Sequence, residues 1–335
     1  MNLPEPLQTT PEPPVWRVRR DELLIARGLC LCVILGLLAR YLGRWYWVFE
    51  LTTHFIEQAC LLAGVVTLLL LLRRHWRLAA ITGALTLGTA AEWFTYLRAE
   101  TPSGVWVTEP TDCLVVVSTN VYSKNRNAEA LSQWLQESQA DVVYFSEVDP
   151  WWAARIESWK SDWPHQIVHS RPDNFGLALI SRHPITDSHV FDLDGPIPAV
   201  DCRVQTPSGE WTIVGLHPFP PLGRAYSTLR NQQLQTAAAH INTLAKPCVV
   251  VGDLNCTPAS PMFQDFGVAT GLVDSSRRFG WQPTWPAGNR LLRVPIDHCL
   301  CDPQVGVMER SVGPDVGSDH LPIRAKLFRL PESGK

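Results

Sequence analysis

Apolar residues are laid out along this chain in two different ways. In the first hundred residues they form three near-continuous stretches, about 23–42, 50–72 and 78–97. The first reads LLIARGLCLCVILGLLARYL and the second ends in LLAGVVTLLLLL. Each is close to the ~20 residues a helix needs to cross the hydrocarbon core of a bilayer. None shows the polar face of a soluble bundle helix, so the pattern predicts a transmembrane region over 21–99 with about three helices. Residues 1–20, with five prolines within 1–16 and no apolar period, are expected to form a flexible tail. His54, Glu57, Gln58 and Glu92 interrupt the second and third stretches and are expected to face a neighbouring helix or the headgroups, because polar groups are costly in hydrocarbon. Beyond a linker over 100–111 the pattern changes to short β-rich runs separated by turns.

Those runs predict strands at 114–119, 142–147, 177–181, 211–217, 248–252, 296–301 and 321–328. Leu131, Trp134 and Leu135 mark one face of a helix over 128–138, and a long helix is expected over 225–244. Strands outnumber helices, so a layered α/β domain over 112–330 is favoured over an alternating barrel.

Composition and charge refine this division. The chain is 46% hydrophobic and 18% charged, with a net charge of -3. Residues 1–100 hold 10 Arg, no Lys and 8 acids, leaving 19 basic against 24 acidic residues beyond them. A mildly acidic domain argues against nonspecific binding of duplex DNA through a broad cationic face, and 14 Trp argue against disorder. Arginine also predicts an orientation. Arg17, Arg19, Arg20, Arg73, Arg74 and Arg77 fall on one side of the three stretches, and Arg40, Arg44 and Arg98 on the other. The positive-inside rule then puts the N-terminus in the cytoplasm and, with three spans, residues 101–335 outside it. The six cysteines beyond residue 100 are compatible with pairing in an oxidising compartment, although most lie in apolar runs where Cys behaves as a small hydrophobe.

The candidate chemistry lies at the ends of the apolar runs. VVVSTN ends at Asn120, VVYFSE at Glu147, TIVGLH at His217, and CVVVGDLN brings Asp253 and Asn255; PIDHCL and GSDHLPI add Asp297, His298, Asp319 and His320. Strands pointing the same way would gather these residues over one edge of the domain. Taken singly each has an ordinary structural role, the acids as solvated strand ends and the histidines as turn or packing residues, so the grouping carries the weight.

In order, Thr119-Asn120, SEV around Glu147, FGLALISR from Phe175 to Arg182, GLHP from Gly215, GDLN from Gly252, PIDH from Pro295 and SDHLP from Ser318 resemble the endonuclease/exonuclease/phosphatase superfamily over roughly residues 112–328. GWQPTWP and VGPDVGSDHLP look like a bacterial membrane-anchored branch of it. The resemblance implies a four-layer α/β sandwich of the DNase I type, here preceded by the transmembrane region, and Mg²⁺- or Mn²⁺-dependent cleavage of phosphate esters. It further implies metal ligation by Glu147 with Asn120, Asp253 and Asp319. His320 becomes the general base, with a carboxylate orienting its ring. Asp319 is its neighbour in sequence, but neighbours along a strand point to opposite faces, so Asp297 remains an alternative partner. Asp253 would hold the attacking water, Asn255 would donate to a phosphoryl oxygen, and His217 would steady the phosphate or protonate the leaving oxygen. Asn120, Asn174, His298 and Trp285 are candidates for touching substrate, with core packing as the alternative for His298 and Trp285.

The expected substrate is nucleic acid, a nucleotide or a phospholipid, cleaved by a multi-pass protein of the bacterial inner membrane whose catalytic domain faces outward. A phospholipid- or sphingomyelin-type phosphodiesterase is the alternative within hydrolases. A catalytically silent receptor for a phosphorylated ligand is the alternative outside them. A binding-only protein has no need of the full acid/base set.

Overall fold

A computed structural model describes residues 15–98 and 112–331; the proline-rich tail and the linker read from the sequence lie largely outside them. The chain divides into two units, one of residues 1–39 and 57–90, the other of residues 40–56 and 91–335.

The first unit is helical: α1 (Val15–Ala39), with α2 (Trp47–His54) belonging to the second unit, then α3 (Ile56–Leu72) and most of α4 (Trp76–Arg98). Ala26, Val33, Leu37, Ala63, Val66, Leu70 and Ala79 form its interior. Leu31, Leu35, Leu61, Leu62 and Leu72 point outward. Large apolar side chains facing outward are compatible with a lipid surrounding, where exclusion of water does not drive helix packing. Among the described residues one helix, Arg20–Leu42, is long and apolar enough to cross a membrane; α2 and α3 qualify only together, bent by 74°. The stretch read as one span over 50–72 is therefore broken at Phe55. The cause lies in its polar residues, since Glu50 and His54 are buried in the second unit.

The second unit places α2 beside two six-stranded sheets. In chain order it contains β1 (Leu114–Asn120), α5 (Ala128–Glu137), β2 (Val142–Ser146), α6 (Pro150–Glu157), β3 (His165–His169), β4 (Leu177–Ser181), β5 (Ile185–Asp192), β6 (Pro198–Thr206) and β7 (Gly209–Gly215). Then follow α7 (Arg224–Ile241), β8 (Cys248–Asp253), α8 (Pro261–Thr270), β9 (Val273–Asp274), β10 (Asp297–Cys301), β11 (Val305–Val312) and β12 (Ile323–Arg329). One sheet runs β11-β12-β1-β2-β4-β3, the other β5-β6-β7-β8-β10-β9. Val116, Tyr144, Leu179, Val200, Ile213 and Val251 pack between the sheets. Leu131, Leu135, Trp152 and Ile156 cover the outer face of the first sheet, and Leu234, Ala238, Phe263 and Phe266 that of the second. The result is the expected α/β/β/α sandwich. All seven strands read from the sequence are present. The unanticipated ones are mostly edge strands such as β5, whose residues are largely exposed and so carry no apolar run.

Two topological facts place the polar ends together. β1 and β2 are parallel, as are β7 and β8, so their C-terminal ends share one edge. β10 and β12 run the other way, and it is the residues leading into them that reach this edge: Asp297 pairs directly with Asp253 in the β8–β10 ladder, and Ser118 with Ile323 in the β1–β12 ladder. Among the described residues there is no disulfide, and five of the six cysteines in this unit are buried.

Candidate active site

The edge gathers a buried cluster of acids, amides and imidazoles. Asn120, at the end of β1, donates from Nδ2 to Glu147 Oε1 at 3.1 Å and to Asp253 Oδ2 at 3.3 Å, tying the two sheets together. Its own Oδ1 accepts from the Tyr122 N–H at 3.0 Å. Glu147 follows β2 with φ 63°, a left-handed conformation uncommon outside glycine. That turn aims its carboxylate at the cluster, where Oε2 accepts from the Ser123 N–H at 3.2 Å. Asn255, with φ 51°, is the second such residue, and its N–H donates to Asp253 Oδ1 at 2.9 Å. Strained backbone of this kind persists where surrounding structure holds it, commonly at functional sites.

The second half of the cluster is a histidine–aspartate pair. His320 Nδ1 lies 2.8 Å from Asp297 Oδ2, which answers the question the sequence left open: the ring is held by Asp297, not by its neighbour Asp319. His320 Nε2 and His217 Nε2 each lie 3.6 Å from Asp253 Oδ2. Thr284, fully buried, points Oγ1 at the N–H groups of Ile296 and Asp297 at 3.4 Å, and Ser318 donates to the Asn120 carbonyl at 2.7 Å. Neither residue type carries a sequence signal for such a role, because Ser and Thr in loops are commonplace.

Burial and charge drive the two imidazoles apart. Burial alone would lower the His320 pKa, but the Asp297 and Asp253 carboxylates overcome it and carry the ring up to about 10. Burial lowers the pKa of His217 despite the nearby Asp253. One imidazole thus holds its proton while the other is kept neutral, the separation that acid/base chemistry uses. Burial raises the Asp253 carboxyl to about 6 in spite of the His320 charge. Burial would likewise raise Asp297, but the charge and hydrogen bond of His320 bring it below the ordinary range. Burial raises the Asp319 carboxyl, with Glu147 adding to the effect.

The remaining candidates divide. Asp319 Oδ2 accepts from Trp285 Nε1 at 3.4 Å, and its buried Oδ1 has no hydrogen-bond partner. Asn174 Oδ1 accepts from Ser123 Oγ at 2.8 Å, at the rim. Asn255 spends one amide N–H on the Pro218 carbonyl at 2.9 Å, bracing the turn that carries His217. His298 is directed away from the cluster, with Nε2 2.8 Å from the Cys256 carbonyl and its ring 4.5 Å from that of Phe263, so it packs rather than faces the groove. Sequence reasoning missed a buried ion pair beneath the site. Arg230, on α7 and fully buried, donates to the Asn255 carbonyl at 2.9 Å and to Glu50 on α2 at 2.5 Å. Ser260 Oγ, which also caps α8, donates to Glu50 at 2.7 Å, and His54 Nδ1 lies 3.1 Å from Thr257 Oγ1.

One glycine is fixed by this geometry. Gly252 has φ 144°, and a Cβ there would lie 1.9 Å from the Leu216 carbonyl oxygen. Gly252→Ala is expected to lower stability by about 3 kcal/mol or more, read as a drop of roughly 6–12 °C in melting temperature. A loss below about 1 kcal/mol would contradict the close approach of β7 and β8 at this point.

The donor set suits a hard cation. Asp253, Asp297 and His320 offer ligand atoms within 4.8 Å of one another. Glu147 and the unpartnered oxygen of Asp319 add further oxygen donors. Oxygen-rich, anionic clusters of this kind are what Mg²⁺ and Mn²⁺ prefer.

Comparison with known proteins agrees with the fold. Similar solved structures include a humanized D. rerio TDP2, at 18% identity over 64% of this chain and 99% of that chain with a TM-score of 0.54. D. rerio TDP2 complexed with a single-strand DNA product matches at 18% identity over 65% of this chain and 99% of that chain, also at 0.54. An endonuclease/exonuclease/phosphatase from Beutenbergia cavernae matches at 18% identity over 65% of this chain and 72% of that chain, at 0.53. At such identities the likeness is one of fold. No curated protein matches the sequence. The model of the Endonuclease/Exonuclease/phosphatase family, however, matches residues 117–320, the stretch that carries Asn120, Glu147, Asp253, Asp297 and His320, and the chain belongs to that family.

Proposed function

We propose that this protein is a membrane-anchored hydrolase of phosphate esters that depends on a divalent cation, Mg²⁺ or Mn²⁺. The observation that carries the reading is the His320–Asp297 pair, 2.8 Å apart, directed at Asp253 within an acid cluster shared with Glu147 and Asn120. Phosphate esters resist attack because their oxygens repel an anionic nucleophile. Glu147 and Asp319, with Asp253 beside them, would hold the cation, whose chemistry there is to offset phosphate charge and make a bound water more acidic. The protein's own groups do the rest. Asp297 fixes the ring of His320, and, with a cation on the carboxylates offsetting the negative charge that keeps the ring protonated, Nε2 can accept a proton from the attacking water. Asp253 orients that water, and His217 steadies the phosphoryl oxygens or the leaving group. Asn120 presents its amide nitrogen to the two carboxylates and so holds the acids in register.

The full chain should hydrolyse bis-p-nitrophenyl phosphate with Mg²⁺ or Mn²⁺ and lose that activity in Glu147→Ala. Turnover that survives both EDTA and Glu147→Ala would sink the reading, and ligand binding without turnover across a phosphate-ester panel would favour a silent receptor.

Cation binding should also be visible in stability. A folded-state pKa for Asp253 raised above its unfolded value means stability that is present below the unfolded pKa and lost as pH rises through about 6. A cation takes the place of that proton. At about pH 8 and a hundredfold excess over Kd, Mg²⁺ is expected to add about 2.7 kcal/mol, a rise of roughly 5–10 °C in melting temperature. At about pH 5 a proton on this one carboxylate weakens binding about tenfold, and the rise should fall to about half, roughly 3–6 °C. An equal rise at both pH values, or one retained in Glu147→Ala, would refute the assignment.

Anchoring in the bacterial inner membrane belongs to the same reading, supported by the apolar helix Arg20–Leu42. A reporter fused to the C-terminus, active only outside the cytoplasm, tests the expected orientation.

A further inference from the structure

The candidate active site is one end of a groove of about 850 Å³, and the character of that groove changes along its length. At one end stand Glu147, Asp253, Asp319 and His320. The same groove is lined by Trp47, Leu51 and Phe55, which lie on or just after α2, and by Phe219, Leu222 and Tyr226, in and after the β7–α7 loop. Pro220, Pro221 and Val294 continue the apolar lining, and neither Lys nor Arg lines the groove among the described residues. The walls are wet: Leu222 is 73% exposed, Tyr226 45% and Phe55 36%. Apolar side chains left facing water along one cleft mark a place where something apolar binds.

Resting on the hydrolase reading, we infer that the substrate is a lipid-like phosphate ester, a single phosphate group carrying a long apolar chain, and that α2 supplies one wall of the subsite for that chain. Three observations converge on this occupant. The groove is continuous with the acid cluster, so a phosphate placed at the cluster sends its substituent along the apolar walls. A polynucleotide would bring further phosphates into a cleft that offers them carboxylates and neither Lys nor Arg, whereas binding of nucleic acids rests on Lys and Arg contacts to the backbone. The wall-forming helix is also tied down from within. Glu50, on the buried side of α2, is held by Arg230 and Ser260, and His54 by Thr257, which leaves Trp47 and Leu51 presented to the groove.

The site is thus incomplete without residues 40–56, and the test uses the full chain in phospholipid nanodiscs, supplied with Mg²⁺. Methyl, hexyl and geranyl esters of p-nitrophenyl phosphate share a leaving group and a reacting phosphorus and differ only in the chain. Each methylene leaving water is worth up to about a fourfold gain in binding. The expected result is a kcat/KM for the hexyl or geranyl ester at least about tenfold above that for the methyl ester. Leu222→Asn and Leu51→Asn are expected to bring the long-chain to short-chain ratio below about threefold. Because Leu222 is so exposed, its replacement leaves the interior undisturbed. A wild-type ratio near one, a ratio unaffected by both substitutions, or faster cleavage of a single-stranded oligonucleotide than of either long-chain ester overturns the apolar subsite while leaving the hydrolase reading intact. No turnover of any ester overturns both.

Discussion

Replacing His320 by alanine is expected to lower kcat on bis-p-nitrophenyl phosphate by about a thousandfold at saturating Mg²⁺, within the range that positioned proton transfer contributes. The ring is held on one side only, by Asp297 at 2.8 Å, so Asp297→Asn should lower kcat by about a hundredfold or more through loss of the oriented ring rather than of the ring itself. The two substitutions act on one unit. The double variant is therefore expected to be little worse than His320→Ala alone, as for residues that work together. Multiplicative losses would mean that Asp297 acts independently of His320. Removing His320 also leaves a buried carboxylate without its partner, so rates are to be compared at a temperature where circular dichroism shows each variant folded.

The second large effect concerns Glu50. Arg230 is fully buried, and Glu50 is 2% exposed, so each charge depends on the other. Glu50→Ala strands the guanidinium and is expected to lower stability by about 3–5 kcal/mol, roughly 6–20 °C in melting temperature. The exposed pair Arg44–Asp265, only slightly longer at 2.6 Å but about half exposed on both sides, is the control. Asp265→Ala should cost under about 1 kcal/mol, because water and salt already screen that pair. Equal losses at the two positions would show that Glu50 is not holding a buried charge. Replacing Glu50 and Arg230 together by Leu and Met should restore most of the stability, since two apolar groups need no partners.

The contrast between what could be read in advance and what could not follows from where information sits in a chain. β1, β2 and β8 are covered on both faces, so each is built around an apolar run and each ends on or just before a residue of the cluster. β5 and β3 lie at sheet edges with partly exposed faces and look like polar connections. In the site, Asn120, Glu147, Asp253 and His320 were legible because a polar residue leaving a buried strand is unusual in a recurring pattern. The partner of His320 was not, because it is set by the pairing of β10 with β8, a contact across the sheet that leaves no mark near residue 320. Glu50 was the hardest case. In sequence it is a carboxylate at the start of an apolar stretch, and its partner lies 180 residues further on. Local spacing cannot announce such a pair, and the same stretch that looked like a membrane span turned out to begin with a helix docked on the sandwich.

The pairing of β12 with β1 bears on how the protein is made. β1 is hydrogen-bonded to β12, with Leu114 opposite Leu327, and His320 lies just before β12, far along the chain from the acids that it joins. Contacts so distant along the chain close slowly and late. During synthesis β1 waits with one edge open until β12 follows, and for as long the acid cluster stays short of its imidazole. A chain stopped before Ser318 would have its apolar helices and most of both sheets yet no His320 to pair with Asp297, so closure of the first sheet and completion of the pair come together.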